Sequence, residues 1–280
     1  MRSNVKEAKK QMMLNDNIKT LILRMAVPTI MAQLITTIYN LVDTYFVSTL
    51  GTNATAAVGV NSSLERMITL IGSLIGAGAC SYIARLLGAK EDEHANTVLS
   101  TSFFSGLGLG VIFMIAGRVL MGDMVYWLGA TEECAEYSMQ YATYVLYAAP
   151  FMIGSFILNM CLRSEGSATY SMIGIGFGGI LNCFLDPLFI YTFDLGVAGA
   201  SMATALSKFI SFCILCWPYI RKSSLVTISI RKFKLVMKDI KEVISIGSSS
   251  FFRSLLTVAA SVAINRLQVD IRLRLWQHCL

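Results

Sequence analysis

The chain has 280 residues, 55% of them hydrophobic and 14% charged, with a mean hydropathy of +0.62. A soluble domain carries about 25% charged residues, so this composition excludes an ordinary soluble enzyme or binding module and places the chain in a bilayer. The formal net charge of +6 does not point to nucleic acid, because the Lys and Arg residues lie between apolar runs and report orientation instead.

Residues 1–24, "MRSNVKEAKKQMMLNDNIKTLILR", are too charged for a secretory signal and read as an amphipathic surface segment leading into the first span. Seven runs then reach the roughly 20 apolar residues that cross the hydrocarbon layer: 25–47, 55–84, 97–117, 138–162, 169–192, 196–220 and 243–265. Continuous apolar runs of this length give helices, since barrel strands alternate and are about half as long. The predicted fold is therefore an all-α membrane protein. A six-helix lobe occupies 25–220, a basic linker 221–242, a seventh helix 243–265 and an atypical tail 266–280.

A cytoplasmic N-terminus puts 16 basic residues on the inner segments and one, Arg118, in the outer loops before span seven; that asymmetry sets the predicted orientation. The acidic stretch "GATEECAEYSMQ" (129–140) is expected to make a short interfacial helix. The linker, with seven basic residues between Arg221 and Lys241, also suits contact with anionic membrane lipids. Sliding span one onto span seven at an offset of 221 pairs Ala26 with Gly247, Leu34 with Leu255 and Thr36 with Thr257. This is a weak sign of a duplicated unit, the common plan of secondary transporters.

Seven cysteines lie mostly in apolar segments, and the one close pair, Cys213 and Cys216, lacks further ligands for a metal; no metal site and no cofactor are expected. The intramembrane polar residues are more informative. At 1.5 Å per residue, Asp43 and Asp186 both fall roughly 7 to 9 Å below the outer boundary, and Thr204 reaches a similar depth. Gly174, Gly178, Asn182 and Asp186 recur every four residues along one face of span five, where the glycines admit another helix. Pro187 cannot donate to the carbonyl of Cys183, nor Pro28 to that of Arg24. A carbonyl, an amide and a carboxylate gathered in this way can coordinate a small cation.

An ionised carboxylate in lipid costs at least ~2.5 to 3.5 kcal/mol, less once protonated or paired with a cation. Two readings stay open on these residues: a charge state coupled to conformation, or hydrogen bonds between helices at about 0.6 kcal/mol each. Lys208, four residues after Thr204, either pairs with Asp186 or Asp43 or snorkels along its helix. Glu65 and Arg66 are expected near the outer interface, and Arg253 is expected to reach the inner boundary.

Five segments, in order, carry a resemblance: "RMAVPTIMAQLITTIYNLVDTYFVSTLG", "IGAGACSYIARLLGAKEDEHA", "NMCLRSEG", "NCFLDPLF" and "GVAGASMATALSK". Over residues 15–265 the chain resembles the multidrug and toxic compound extrusion (MATE) transporters. The resemblance implies a two-lobe helical exporter in a bacterial-type plasma membrane, which expels small organic cations in exchange for H+ or Na+; the sequence points to no obligate protein partner. It implies a coupling-cation site on Asp43, Asn159, Asn182, Asp186 and Thr204, with Asp43 and Asp186 as the carboxylates for Na+; the depth count puts Asn159 nearer the cytoplasmic end. It further implies bending of the first helix at Pro28 and a cavity lined by Tyr141; Pro187 is a second candidate bend, and Gln33, Asn40 and Lys208 are expected at that substrate cavity.

Two departures stand out. The seventh span, "VISIGSSSFFRSLLTVAASVAINR", contains no acid, which favours coupling in the first lobe, and Lys208 replaces a frequent glutamine. The family has about twelve helices, whereas "VDIRLRLWQHCL" at 269–280 departs from its pattern; a truncated or frameshifted product is expected, with an inactive fragment or a half-transporter as the alternative function. A lipid-linked precursor flippase of the same superfamily ranks lower, because intramembrane basic residues are few. An intramembrane aspartyl protease ranks lowest, because Asp186 follows Phe184 and Leu185 rather than Gly-x-Gly.

Overall fold

The structure is a computed structural model describing residues 17–278, with the side chains of 261, 262, 265, 266 and 268–278 outside the description. Segment 1–16, most of the expected amphipathic surface segment, lies outside the described residues. Eight α-helices follow: α1 Ile18–Ser48, α2 Thr52–Gly88, α3 Asp92–Val119, α4 Met121–Trp127, α5 Glu132–Ser164, α6 Ala168–Pro187, α7 Gly196–Ile220 and α8 Met237–His278. A π turn, Leu188–Thr192, extends α6. Every helix except α4 includes a stretch long and apolar enough to cross a membrane, and there is no strand among the described residues. The chain is a multi-pass, all-α membrane protein with six long helices in one lobe and α8 beyond it.

The helices overrun the apolar runs because backbone hydrogen bonding continues through polar turns. The 37 residues of α2 make about 55 Å of helix, against a hydrocarbon core of about 30 Å. Asp92 and Glu93 open α3, where negative charge suits the N-terminal dipole. One expected element is displaced. The stretch 129–140 forms no separate helix: Thr131 caps α5, its N–H donating to Cys134 Sγ at 3.3 Å, and Glu132 starts 33 helical residues. The short helix is α4, whose seven residues are too few to show a period in sequence.

The core is built on α5, which packs against α2, α3 and α7. Leu64, Ile68, Leu99, Leu146, Ile153, Ile157 and Leu158 are fully buried there. The first helix is the opposite case. Of its 31 residues, Ala32, Asp43 and Val47 are buried, and it rests mainly on α6.

The eighth helix lies along α2 at backbone contact. A Cβ on Gly78 would overlap the carbonyl oxygen of Val243, and one on Gly247 would overlap that of Leu74. Polar contacts continue the seam: Ser73 Oγ donates to Ser254 Oγ at 3.4 Å, Tyr82 Oη to Asp239 Oδ1 at 3.1 Å, and Arg85 pairs with Glu242 at 3.6 Å. His94 of α3 reaches the same Asp239 oxygen through Nε2 at 3.0 Å. The helix runs from Met237 to His278, so the expected linker ends six residues earlier than drawn and the expected tail boundary at 266 falls inside a helix.

Residues 221–236 form a docked strap, not a loose tether. Asn96 Oδ1 accepts the Thr227 N–H at 2.6 Å and its hydroxyl at 3.1 Å, and Ser100 Oγ accepts the Ser229 N–H at 3.1 Å. Glu165, fully buried at the end of α5, accepts Tyr219 Oη at 3.1 Å, the Leu225 N–H at 2.8 Å and the hydroxyl of Ser224. Its removal leaves these donors without that acceptor, at a cost of about 1 to 3 kcal/mol for each buried group left unsatisfied. Glu165→Ala is therefore expected to speed tryptic cleavage at Lys222, Arg231 and Lys234 about tenfold, the factor that ~1.4 kcal/mol gives to the open population. Cleavage at the wild-type rate would remove Glu165 as the anchor.

Candidate functional site: a buried polar cluster beside a cavity

The site is organised by α6, whose small residues accept a helix on each side. Toward α7, Gly174 faces Leu215 and Gly178 faces Ser211, and Ser211 Oγ donates to the Gly174 carbonyl at 2.8 Å. Toward α1, Gly176 faces Ile35 and Gly179 faces Tyr39. One turn further along the α7 face, Asn182 Nδ2 donates to Asp186 Oδ1 at 2.9 Å and to Thr204 Oγ1 at 3.4 Å. Thr204 lies against Tyr141 of α5, which is buried. Asp43 of α1 stands close enough to Asp186 for the two carboxylates to act on one another.

Pro187 marks the place where α6 turns from α to π geometry. Without an N–H it cannot close the ring onto Cys183, and π turns of this kind recur at functional sites. Pro28 behaves differently: α1 continues through it as one helix.

Asp186 is 0% exposed, Asn182 1% and Asp43 8%. Asp186 Oδ2, Asp43 Oδ1 and Asn182 Oδ1 have no hydrogen-bond partner. All three are acceptors, and buried acceptors normally find a donor. Carboxylate and carbonyl oxygens suit hard ions. Among the described residues no group of three or more His, Cys, Asp or Glu gathers as a metal site.

Glu65 belongs to this neighbourhood and was misplaced by the sequence. It sits near the middle of α2, half-buried, and acts electrostatically on Asp43, Tyr141 and Lys208. The depth count applied to span two puts it about 15 Å below the outer end, inside the membrane though not level with Asp43.

A cavity of about 450 Å³ adjoins the cluster, walled by α1, α2, α5, α6, α7 and α8. Gln33, Asn159, Asn182, Thr204 and Lys208 line it, so Asn159 shares a cavity with Thr204 despite its separate depth. Asn40 is exposed and Tyr141 is buried behind Thr204; neither lines the cavity. Lys208 adopts neither expected arrangement: its Nζ donates to Tyr39 Oη at 2.7 Å and lies 5.2 Å from the centre of that ring. Arg253, which is exposed, and Arg163 are also among the lining residues. Three cations from three helices, Lys208 of α7, Arg163 at the end of α5 and Arg253 of α8, thus line one cavity.

Buried carboxylates beside a cavity, inside a multi-pass helical bundle, are the build of a secondary-transporter lobe. The sequence model of the MatE family matches residues 28–188, and the chain belongs to that family. It is 31% identical over 241 residues to the multidrug export protein MepA of Staphylococcus saprophyticus, a match covering 86% of this chain and 53% of that protein. A solved multidrug resistance MATE family transporter of the MOP superfamily in its outward-facing conformation superposes with TM-score 0.84 at 31% identity, over 95% of this chain and 61% of the other. An inward-facing structure of such a transporter gives 0.76 at 30% identity, over 92% and 55%. The chain spans about half the length of the curated relatives it matches.

Proposed function

We propose that the chain is the first lobe of an exporter of small organic compounds, driven by H+ or Na+ entering at Asp43, Asn182 and Asp186, with its N-terminus in the cytoplasm. The observation that carries this reading is the set of three buried, unpartnered acceptor oxygens beside the cavity. A proton or Na+ satisfies them and relieves the repulsion between the Asp43 and Asp186 carboxylates that act on each other across α1 and α6. Because that change favours one arrangement of α1 over another, it supplies the differential affinity that any switch requires. Similarity to a multidrug export protein supports the substrate side, and the better superposition on an outward-facing relative supports an outward-facing state. The resemblance implies organic cations, whereas the cavity wall carries Lys208, Arg163 and Arg253.

A second reading is that this lobe binds ion and ligand but moves neither alone; the half-length match to its relatives favours it. The test is dye release from proteoliposomes holding the full chain, preloaded with fluorescein and rhodamine 123, under imposed H+ or Na+ gradients. Gradient-driven release of either dye, lost in Asp43→Asn, is the expected result. Release indifferent to the gradient or to Asp43→Asn overturns the coupling site, and ion-sensitive binding without release establishes the second reading.

A further inference from the structure

We infer that the cavity is a site for the anionic group of an amphipathic ligand, a carboxylate, sulfonate or phosphate on an apolar body. The inference rests on the export reading for the cavity's purpose and departs from it in the charge of the cargo. Three cations line the cavity, Lys208, Arg163 and Arg253, and no Asp or Glu does. Among the described residues, no carboxylate lies within 4.0 Å of any of the three. Lys208 feels Glu65 and Asp43 at longer range, but its bonded partner is the neutral Tyr39 hydroxyl, and neither acid lines the cavity. Arg163, half-buried at the end of α5, makes a 3.5 Å bond to the neutral Ser171 hydroxyl.

A second observation points the same way. Asn159 is 4% exposed and lines the cavity, and its Nδ2, a donor, has no partner. The buried hydroxyl of Ser207 on the same wall is also unpartnered. Cations and unmet donors call for an acceptor with negative charge; Arg in particular presents a planar fork that matches a carboxylate or phosphate. The apolar remainder of the ligand has Phe156 and Tyr39 to lie against. Asn159 then serves the ligand rather than the coupling ion, because the atom it leaves open donates. The open carboxylate oxygens of Asp43 and Asp186 lie outside the cavity lining, whereas the open donor of Asn159 lies within it, beside the open amide oxygen of Asn182.

The test uses the full chain in phosphatidylcholine nanodiscs and two dyes of one ring skeleton and opposite charge, fluorescein and rhodamine 123, followed by fluorescence anisotropy. Fluorescein is expected to bind at least tenfold more tightly, and both Lys208→Gln and Arg253→Gln are expected to weaken it at least fivefold. Because Arg253 is exposed in this chain, its substitution reads charge without threatening the fold. Fluorescein binding displaced by phosphatidylglycerol added to the disc assigns the anion to a lipid headgroup; binding indifferent to that lipid assigns it to a free compound. Preference for rhodamine 123, or binding unmoved by both substitutions, overturns the anion site and leaves the export reading standing, since the release assay scores either dye. Failure of both dyes to bind overturns the cavity as a ligand site altogether.

Discussion

Replacing Asp186 by Asn is expected to reduce ion-driven dye movement at least 100-fold while leaving the folded chain as stable as before or more so. The factor corresponds to about 2.7 kcal/mol of lost driving interaction. Asn matches Asp in shape and keeps a partner for Asn182, whose Nδ2 donates to Asp186 Oδ1 at 2.9 Å. It cannot ionise, so the chain is held in a mimic of the proton-loaded state. A structural role and a coupling role now separate. If Asp186 serves only to hold α6 to its neighbours, the amide fills that role and movement persists with its ion dependence intact, which would remove the coupling assignment. If the charge is what matters, the gradient loses its effect and the ion-dependent change in tryptophan fluorescence disappears with it. Asp43→Asn is expected to give the same pattern from α1, because Asp43 Oδ1 is buried and unpartnered.

Gly78→Leu is expected to lower the melting temperature in detergent by roughly 4 to 8 °C, from about 2 kcal/mol of overpacking at about 2 to 4 °C per kcal/mol. The clash at Gly78 is with the backbone carbonyl of Val243, which cannot turn aside as a flexible side chain would. Relief requires α8 to move off α2, and the Tyr82 and His94 bonds to Asp239 go with it. Faster tryptic cleavage at Lys238 and Lys241 should accompany the shift. Gly108→Ala is the control, since nothing lies within 4 Å of a Cβ there; Ala is the better helix former, so no loss is expected. An unchanged melting temperature in Gly78→Leu would mean that the close seam does not hold α8 in place.

The lobe was legible because lipid removes alternatives. With every backbone group obliged to bond internally, an apolar run of the right length has one outcome, and α7 spans the predicted 196–220. Asn182 and Asp186 could be found because a four-residue repeat on a helix is a statement about space. What sequence could not supply were contacts between separate segments. Lys208 and Tyr39 are 169 positions apart and Glu165 and Ser224 are 59 apart, and no local pattern links them. Arg253 looked like a snorkelling residue because a lone span offers only its own ends; with α2 beside it, a cavity becomes the nearer polar surroundings.

Asp43 is one of three residues that α1 buries in 31, and the other two are Ala32 and Val47. An alanine contributes little apolar area and a valine about 1.5 kcal/mol or somewhat more, so beyond half-buried contacts such as Ile35 and Tyr39 a carboxylate is a large share of what this helix buries fully. Most long helices would absorb a change in one side chain's charge without moving, because dozens of packed atoms outvote it. Here the electorate is small. The same thinness leaves Ile22, Val27, Leu34, Ile38 and Leu41 exposed along one side of α1, and in the export proposal an acyl chain against that side solvates the helix in each position. If α1 switches as proposed, acyl-chain order is expected to set how fast it exchanges between positions, even where it leaves their relative populations alone.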